Sequence, residues 1–178
     1  DDAVVGLARA MEALLIYLET VCHFRLGAQL VGDAADAARR LSERSESVAS
    51  LIVRQSWFLF RLGDYDAGNR LVAEAMQILE SLGSRAEMGY PLLFLGANHY
   101  GAGNLREALR CFEASYNVYA AGGDDWCRCG SLNNIGQVLT ALGDYARADA
   151  ILHEALGIAD ALSTPYQRSH ILHSLAAL

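Results

Sequence analysis

The chain reads Leu62-Gly63-Asp64-Tyr65, then Ala102-Gly103-Asn104-Leu105, then Leu142-Gly143-Asp144-Tyr145. The glycines at 63, 103 and 143 fall 40 residues apart each time. Self-similarity at a fixed period of this size marks a stack of helical hairpins, each completed by the apolar face of its neighbour. Glycine at the centre of each phrase allows the tight turn that folds a second helix back on the first. Such stacks present a groove to a partner more often than they carry out chemistry.

Helical patterning extends on both sides of each phrase. The first helices are predicted over roughly 47–62, 86–101 and 125–141, and the second over roughly 65–82, 105–121 and 145–162. Ser84-Arg85-Ala86-Glu87 has the form of a capping box, Asp124 and Asp125 precede Trp126, and Thr164-Pro165 offers a cap followed by Pro at the first helical position. Gly83, Gly122 and Gly123 stand where a left-handed terminating residue is wanted.

Before the regular copies, Val31-Gly32-Asp33-Ala34-Ala35-Asp36-Ala37 echoes Leu142-Gly143-Asp144-Tyr145-Ala146-Arg147-Ala148. Residues 1–46 are therefore expected to form a degenerate hairpin, with helices over about 4–25 and 28–44 and a break at Gly27. Repeats follow at 47–84, 85–124 and 125–164, and 165–178 reads as the first helix of another. A half hairpin ending on Leu175-Ala176-Ala177-Leu178 leads us to expect a single solenoid cut from a larger protein, because end repeats need a polar outer face.

Of the 178 residues, 53% are hydrophobic and 20% charged, which excludes a disordered chain. Mean hydropathy of +0.16 is high for a small monomer, so an apolar groove is expected at the surface. A net charge of −7 argues against direct binding to nucleic acid, where affinity rests on neutralising phosphates. All 14 basic residues are arginine, a bias expected of a GC-rich bacterial genome. The apolar run Ala13-Leu14-Leu15-Ile16-Tyr17-Leu18 stops at Glu19, far short of the ~20 residues that span a bilayer. Asp1-Asp2 replaces the basic start of a signal peptide. Cys22, Cys111, Cys127 and Cys129 lack metal-site spacing and read as reduced thiols in a cytoplasmic protein.

The clearest copy, Leu132-Asn133-Asn134-Ile135-Gly136-Gln137-Val138-Leu139-Thr140-Ala141-Leu142-Gly143-Asp144-Tyr145-Ala146-Arg147-Ala148, continues to Leu152 and Ala155. It resembles the tetratricopeptide repeat, in which an apolar-Gly pair, Gly-Asp-Tyr and spaced alanines let paired helices approach closely. The second copy follows with Leu92, Leu95-Gly96, Gly103, Leu105, Ala108, Phe112 and Ser115. The first departs: Gln55-Ser56 replaces apolar-Gly, and Gly68 stands where Ala is usual. The resemblance implies an all-α fold, a right-handed α-solenoid of antiparallel helical hairpins. The 40-residue period exceeds the common 34. With this phrasing it resembles the repeat regions of large bacterial signal-transduction regulators, including LuxR-type and antibiotic-regulatory ones. There the repeats act as sensor or protein-interaction modules beside a separate output domain, in transcription regulation among other roles.

In that family the first helix of each hairpin lines the concave surface. Carried onto this sequence, the groove candidates are Val53, Trp57, Phe60 and Arg61, then Tyr90, Leu93, Ala97 and Tyr100. Asn133, Gln137 and Thr140 follow, with His170 and His173 on the last helix. Spacings of three and four keep each set on one face. Such a face suits a protein or peptide partner, or a small flat effector; each aromatic could equally pack against a neighbouring helix. Asn134 is expected to bond between repeats. His170 and His173 are too few to hold a metal, and no cofactor is expected. No catalytic site is expected either: there is no lysine for a phosphate loop, no Gly-x-Ser-x-Gly, and His23, His99 and His153 are scattered. The alternative to a binding module is a scaffold that assembles a homo-oligomer through its ends or convex face.

Overall fold

The computed structural model describes residues 6, 14–15, 17–41 and 45–178. Helical residues 14–15 and 17–20 lead into α1 (Phe24–Leu41), α2 (Glu46–Arg61), α3 (Tyr65–Leu82), α4 (Gly89–Gly101) and α5 (Leu105–Gly122). The remainder is α6 (Asp125–Ala141), α7 (Tyr145–Ala161) and α8 (Pro165–Ala176). Among the described residues there is no strand. The pairs α2/α3, α4/α5 and α6/α7 are antiparallel hairpins, each packed on the next, with α1 against α2 and α8 against α6 and α7. Gly63, Gly103 and Gly143 turn each hairpin at φ of +80°, +79° and +80°, a region closed to most side chains.

Caps hold where a carboxylate can reach back. Asp64 accepts from the Ala67 amide at 3.1 Å and Asp124 from the Cys127 amide at 2.9 Å. Three local expectations are corrected. Ser84 makes no cap bond: residues Arg85–Met88 form a 3₁₀ turn, and its hydroxyl donates instead to Glu46. Pro91 is the cause, since its ring excludes an α-helical carbonyl four residues back, at Glu87. Thr164 also leaves its own helix uncapped and turns its hydroxyl to the Ala159 carbonyl at 3.4 Å. The N-terminal break falls at Cys22, with φ of +57°, and α1 runs through Gly27. Gly27 is small for another reason: a Cβ there would lie 2.2 Å from the Phe58 ring. Most of the expected first helix over 4–25 lies outside the described residues.

The core runs along the seams between paired helices, where glycine on one helix receives a large side chain from the other. A Cβ on Gly136 would come within 2.5 Å of Leu152, and one on Gly96 within 2.6 Å of Phe112. Fully burying a side chain such as Leu152 stabilises by about 1.5–3 kcal/mol, so each glycine lets a seam close on its largest contributor. The first hairpin solves the same problem differently. Asn98 of α4 is wholly buried and donates through Nδ2 to the Ser56 hydroxyl of α2 at 3.2 Å. Its carboxamide fills the space that a Cβ on Gly68 of α3 would need. The two departures of the first copy from the repeat pattern, Ser56 and Gly68, are thus one arrangement built around Asn98.

Candidate binding groove

The first helices α2, α4, α6 and α8, with the helical residues before α1, line one open groove of about 650 Å³. Its two halves differ in chemistry. In the α2–α4 half, Trp57 stacks on Phe60 with centroids 5.2 Å apart and meets Phe94 edge-on at 5.5 Å, while Tyr90 meets Phe94 at 4.6 Å. These contacts join residues three and four apart on each helix into one aromatic ledge, which Leu93, Ala97 and Tyr100 extend. In the α6–α8 half, Asn133, Asn134, Gln137, Gln167 and His170 line the wall. The amide groups of Gln137 and Gln167 are engaged between helices, donating to Ser174 Oγ at 3.0 Å and to the Trp126 carbonyl at 3.4 Å. Asn133 is 6% exposed, and its Oδ1 has no hydrogen-bond partner in the protein.

The structure brings together nine of the sequence candidates: Trp57, Phe60, Tyr90, Leu93, Ala97 and Tyr100 on the aromatic side, and Asn133, Gln137 and His170 opposite. It places four elsewhere. Val53 is 1% exposed and packs in the core. Arg61 sits beside the groove, 4.3 Å over the Phe24 ring and 5.5 Å over Trp57, and donates to Glu19 at 3.4 Å. Thr140 bonds back to the Gly136 carbonyl of its own helix at 2.9 Å. His173 is exposed and does not line the groove.

Several lining residues were not among the candidates. Trp126, Gly130 and Gln167 were within reach of sequence reasoning, since stepping back by three or four from Asn133, Gln137 and His170 finds them. Asn134 was assigned to a bond between repeats but lies on the groove wall. Phe112 and Tyr119 belong to a second helix and carry no such signal. Burial, then the neighbouring Asp124, pushes the Cys127 thiol up to about 11. Burial, with Cys127 beside it, raises the Tyr119 phenol as well. Both groups therefore face the groove in neutral form at pH 7. Among the described residues no cluster of three or more His, Cys, Asp or Glu side chains could hold a metal, and no helix is long and apolar enough to cross a membrane.

Residues 128–159, which span α6 and most of α7, match the family model of the tetratricopeptide repeat. No curated protein sequence matches the chain. Among solved structures it is similar to the nearly identical TPR-like repeats of a protein from Podosopora anserina described as a kinesin light chain. The TM-score is 0.72 at 16% identity, over 94% of this chain and 83% of that one. It is also similar to BtubC (BKLC) from P. vanneervenii, with a TM-score of 0.73 at 18% identity over 88% of this chain and 65% of that one. Identities this low carry likeness of fold. One matched repeat, two more copies in phase with it and a shared architecture over most of the chain give this protein a tetratricopeptide-like helical-repeat fold.

Proposed function

We propose that this chain is a protein-interaction module that holds a segment of a partner protein in the groove of its first helices. The observation that carries this reading is the division of the groove wall. An unbroken aromatic ledge from Phe60 to Tyr90 supplies area for anchoring side chains, and the carboxamides opposite can bond to a partner's backbone. The ionisable groups favour binding over catalysis. Cys127 and Tyr119 are pushed away from the charged form that a nucleophile or base requires. At a finer level, we read the module as part of a larger, cytoplasmic bacterial regulatory protein. The phrase from Leu132 to Ala148 and the all-arginine set of basic residues support that placing.

The test is an affinity capture from a lysate of the source cell with the parent chain and with a Trp57→Ala/Tyr100→Ala variant, checked for folding by circular dichroism. Mass spectrometry would read both proteins and metabolites. A protein kept by the parent and lost by the folded variant is the expected result. A metabolite showing that pattern would make the groove a sensor of small effectors. Identical captures would move the interaction to the convex face or the ends.

A further inference from the structure

Among the described residues, α5 is the one second helix of a hairpin that reaches the groove: Phe112 and Tyr119 stand in its floor, while α1, α3 and α7 contribute nothing. Helix stacking explains this. First helices α2 and α4 pack together, as do α6 and α8, but α4 and α6 barely touch and α5 lies against both. Ser115 fastens α5 from behind, donating to the Gly89 carbonyl at 2.9 Å and lying 3.3 Å from the Ser131 hydroxyl. Gly96 and Gly89 admit the two rings, since a Cβ there would lie 2.6 Å from Phe112 and 2.7 Å from Tyr119. Between α4 and α6 the groove therefore deepens by a full helix layer.

The sides of this recess are small and uncharged: Leu93 and Ala97 on α4, Cys127 and Gly130 on α6. Tyr119 and Cys127 are held neutral, so nothing in the recess offers a charge to a ligand at physiological pH. Gly130 also leaves room. A Cβ built on it would meet nothing closer than Gln167 Nε2 at 3.6 Å, an ordinary contact. At Gly27, Gly68, Gly89, Gly96 and Gly136, by contrast, a neighbouring side chain already fills that space.

We infer that this recess is the specificity pocket of the groove and takes one large uncharged side chain, leucine-sized or aromatic, from the bound partner segment. The inference rests on the peptide-binding reading of the groove and goes beyond it by naming the residue type and the place where it inserts. The absence of charge from the lining excludes an acidic or basic anchor, which would be desolvated there without a counter-ion. Burying such a side chain is expected to account for about a ten- to hundredfold gain in affinity.

The probe is a phage-displayed library of random dodecapeptides selected on the whole chain, with the selected peptides resynthesised and their affinities read by fluorescence anisotropy. Gly130→Leu fills the recess from an open position. Its melting temperature is expected to equal or exceed the parent's, because leucine is the better helix former. Selected peptides should share one large apolar residue. Its replacement by alanine and the Gly130→Leu change should each weaken binding about ten- to hundredfold, with little further loss when combined. The peptide-side replacement decides the matter even if Gly130→Leu were to unfold. Peptides without a shared apolar residue, or binding Gly130→Leu as they bind the parent, overturn the inference. Loss in Trp57→Ala/Tyr100→Ala but not in Gly130→Leu would remove the pocket and keep the groove. Equal binding to all variants, or no selected peptide at all, would remove both.

Discussion

Asn98 makes a reversal of sign measurable at Gly68. A Cβ added at Gly68 would lie 2.8 Å from Asn98 Nδ2 and 3.0 Å from Oδ1, closer than real Cβ contacts come. The carboxamide cannot retreat, being 0% exposed and bonded to Ser56 at 3.2 Å. Overpacking of this kind costs about 1–3 kcal/mol. Gly68 lies inside α3, however, so alanine would also recover about 0.5–1 kcal/mol of helix propensity. Gly68→Ala alone should therefore destabilise the protein by about 0.5–2 kcal/mol.

Asn98→Ala removes the obstruction at its own cost of about 1–3 kcal/mol, since the buried Ser56 hydroxyl loses its partner and a void opens between α2 and α3. In that background Gly68→Ala keeps its helical gain, meets no carboxamide and puts a methyl group into the void. It should then stabilise by about 0.5–1 kcal/mol, and the coupling between the two sites should reach about 1–3 kcal/mol. Equilibrium urea unfolding of the four proteins, followed by circular dichroism and by the fluorescence of nearby Trp57, measures the cycle. Equal effects of Gly68→Ala in both backgrounds, with coupling below about 0.5 kcal/mol, would refute the account of Ser56, Gly68 and Asn98 as one packing unit.

Gly136→Ala should destabilise by about 1–3 kcal/mol in the same assay, because the new Cβ would crowd Leu152 at 2.5 Å; an unchanged unfolding midpoint would show that the seam can relax. Asp64→Ala removes the acceptor for the Ala67 amide and should cost about 0.5–2 kcal/mol, read as a lowered urea midpoint, while Asp64→Asn should restore most of it. With a pKa of about 11, Cys127 exposes only about a thousandth of its thiol as thiolate at pH 8. Iodoacetamide labelling mapped by mass spectrometry should therefore be slow at Cys127 and rise steeply towards pH 11. Asp124→Asn should bring that rise to lower pH, because the carboxylate is the largest cause of the shift after burial; no movement of the profile would assign the shift to burial alone.

Much of the hairpin architecture could be read from the chain because it depends on contacts repeated every 40 residues. Positions 63, 103 and 143 each require positive φ, and the apolar faces on either side are short-range patterns. Helix ends drifted where one residue overrode the pattern, as Pro91 did in forcing a 3₁₀ turn before α4. Ser56 and Gly68 looked like two departures in one hairpin, and their reason lay in the next hairpin, at Asn98. No reading of a repeat in isolation could connect them.

The groove divides along the same line. Trp57, Tyr90 and Gln137 sit on faces that helical period reveals, so they could be nominated one helix at a time. Val53 and Thr140 show the limit of that method: the same faces turn partly into the core or back onto their own backbone, and periodicity cannot tell how far each helix is rotated. The recess is further out of reach, because it arises from the angle between hairpins rather than from any helix. The separation of α4 from α6 brings Phe112 and Tyr119 into the floor, although the second copy places Phe112 where a purely structural residue belongs. In a solenoid, regular period specifies the wall of the groove, and a local lapse in stacking supplies the depth that lets one partner side chain be chosen over another.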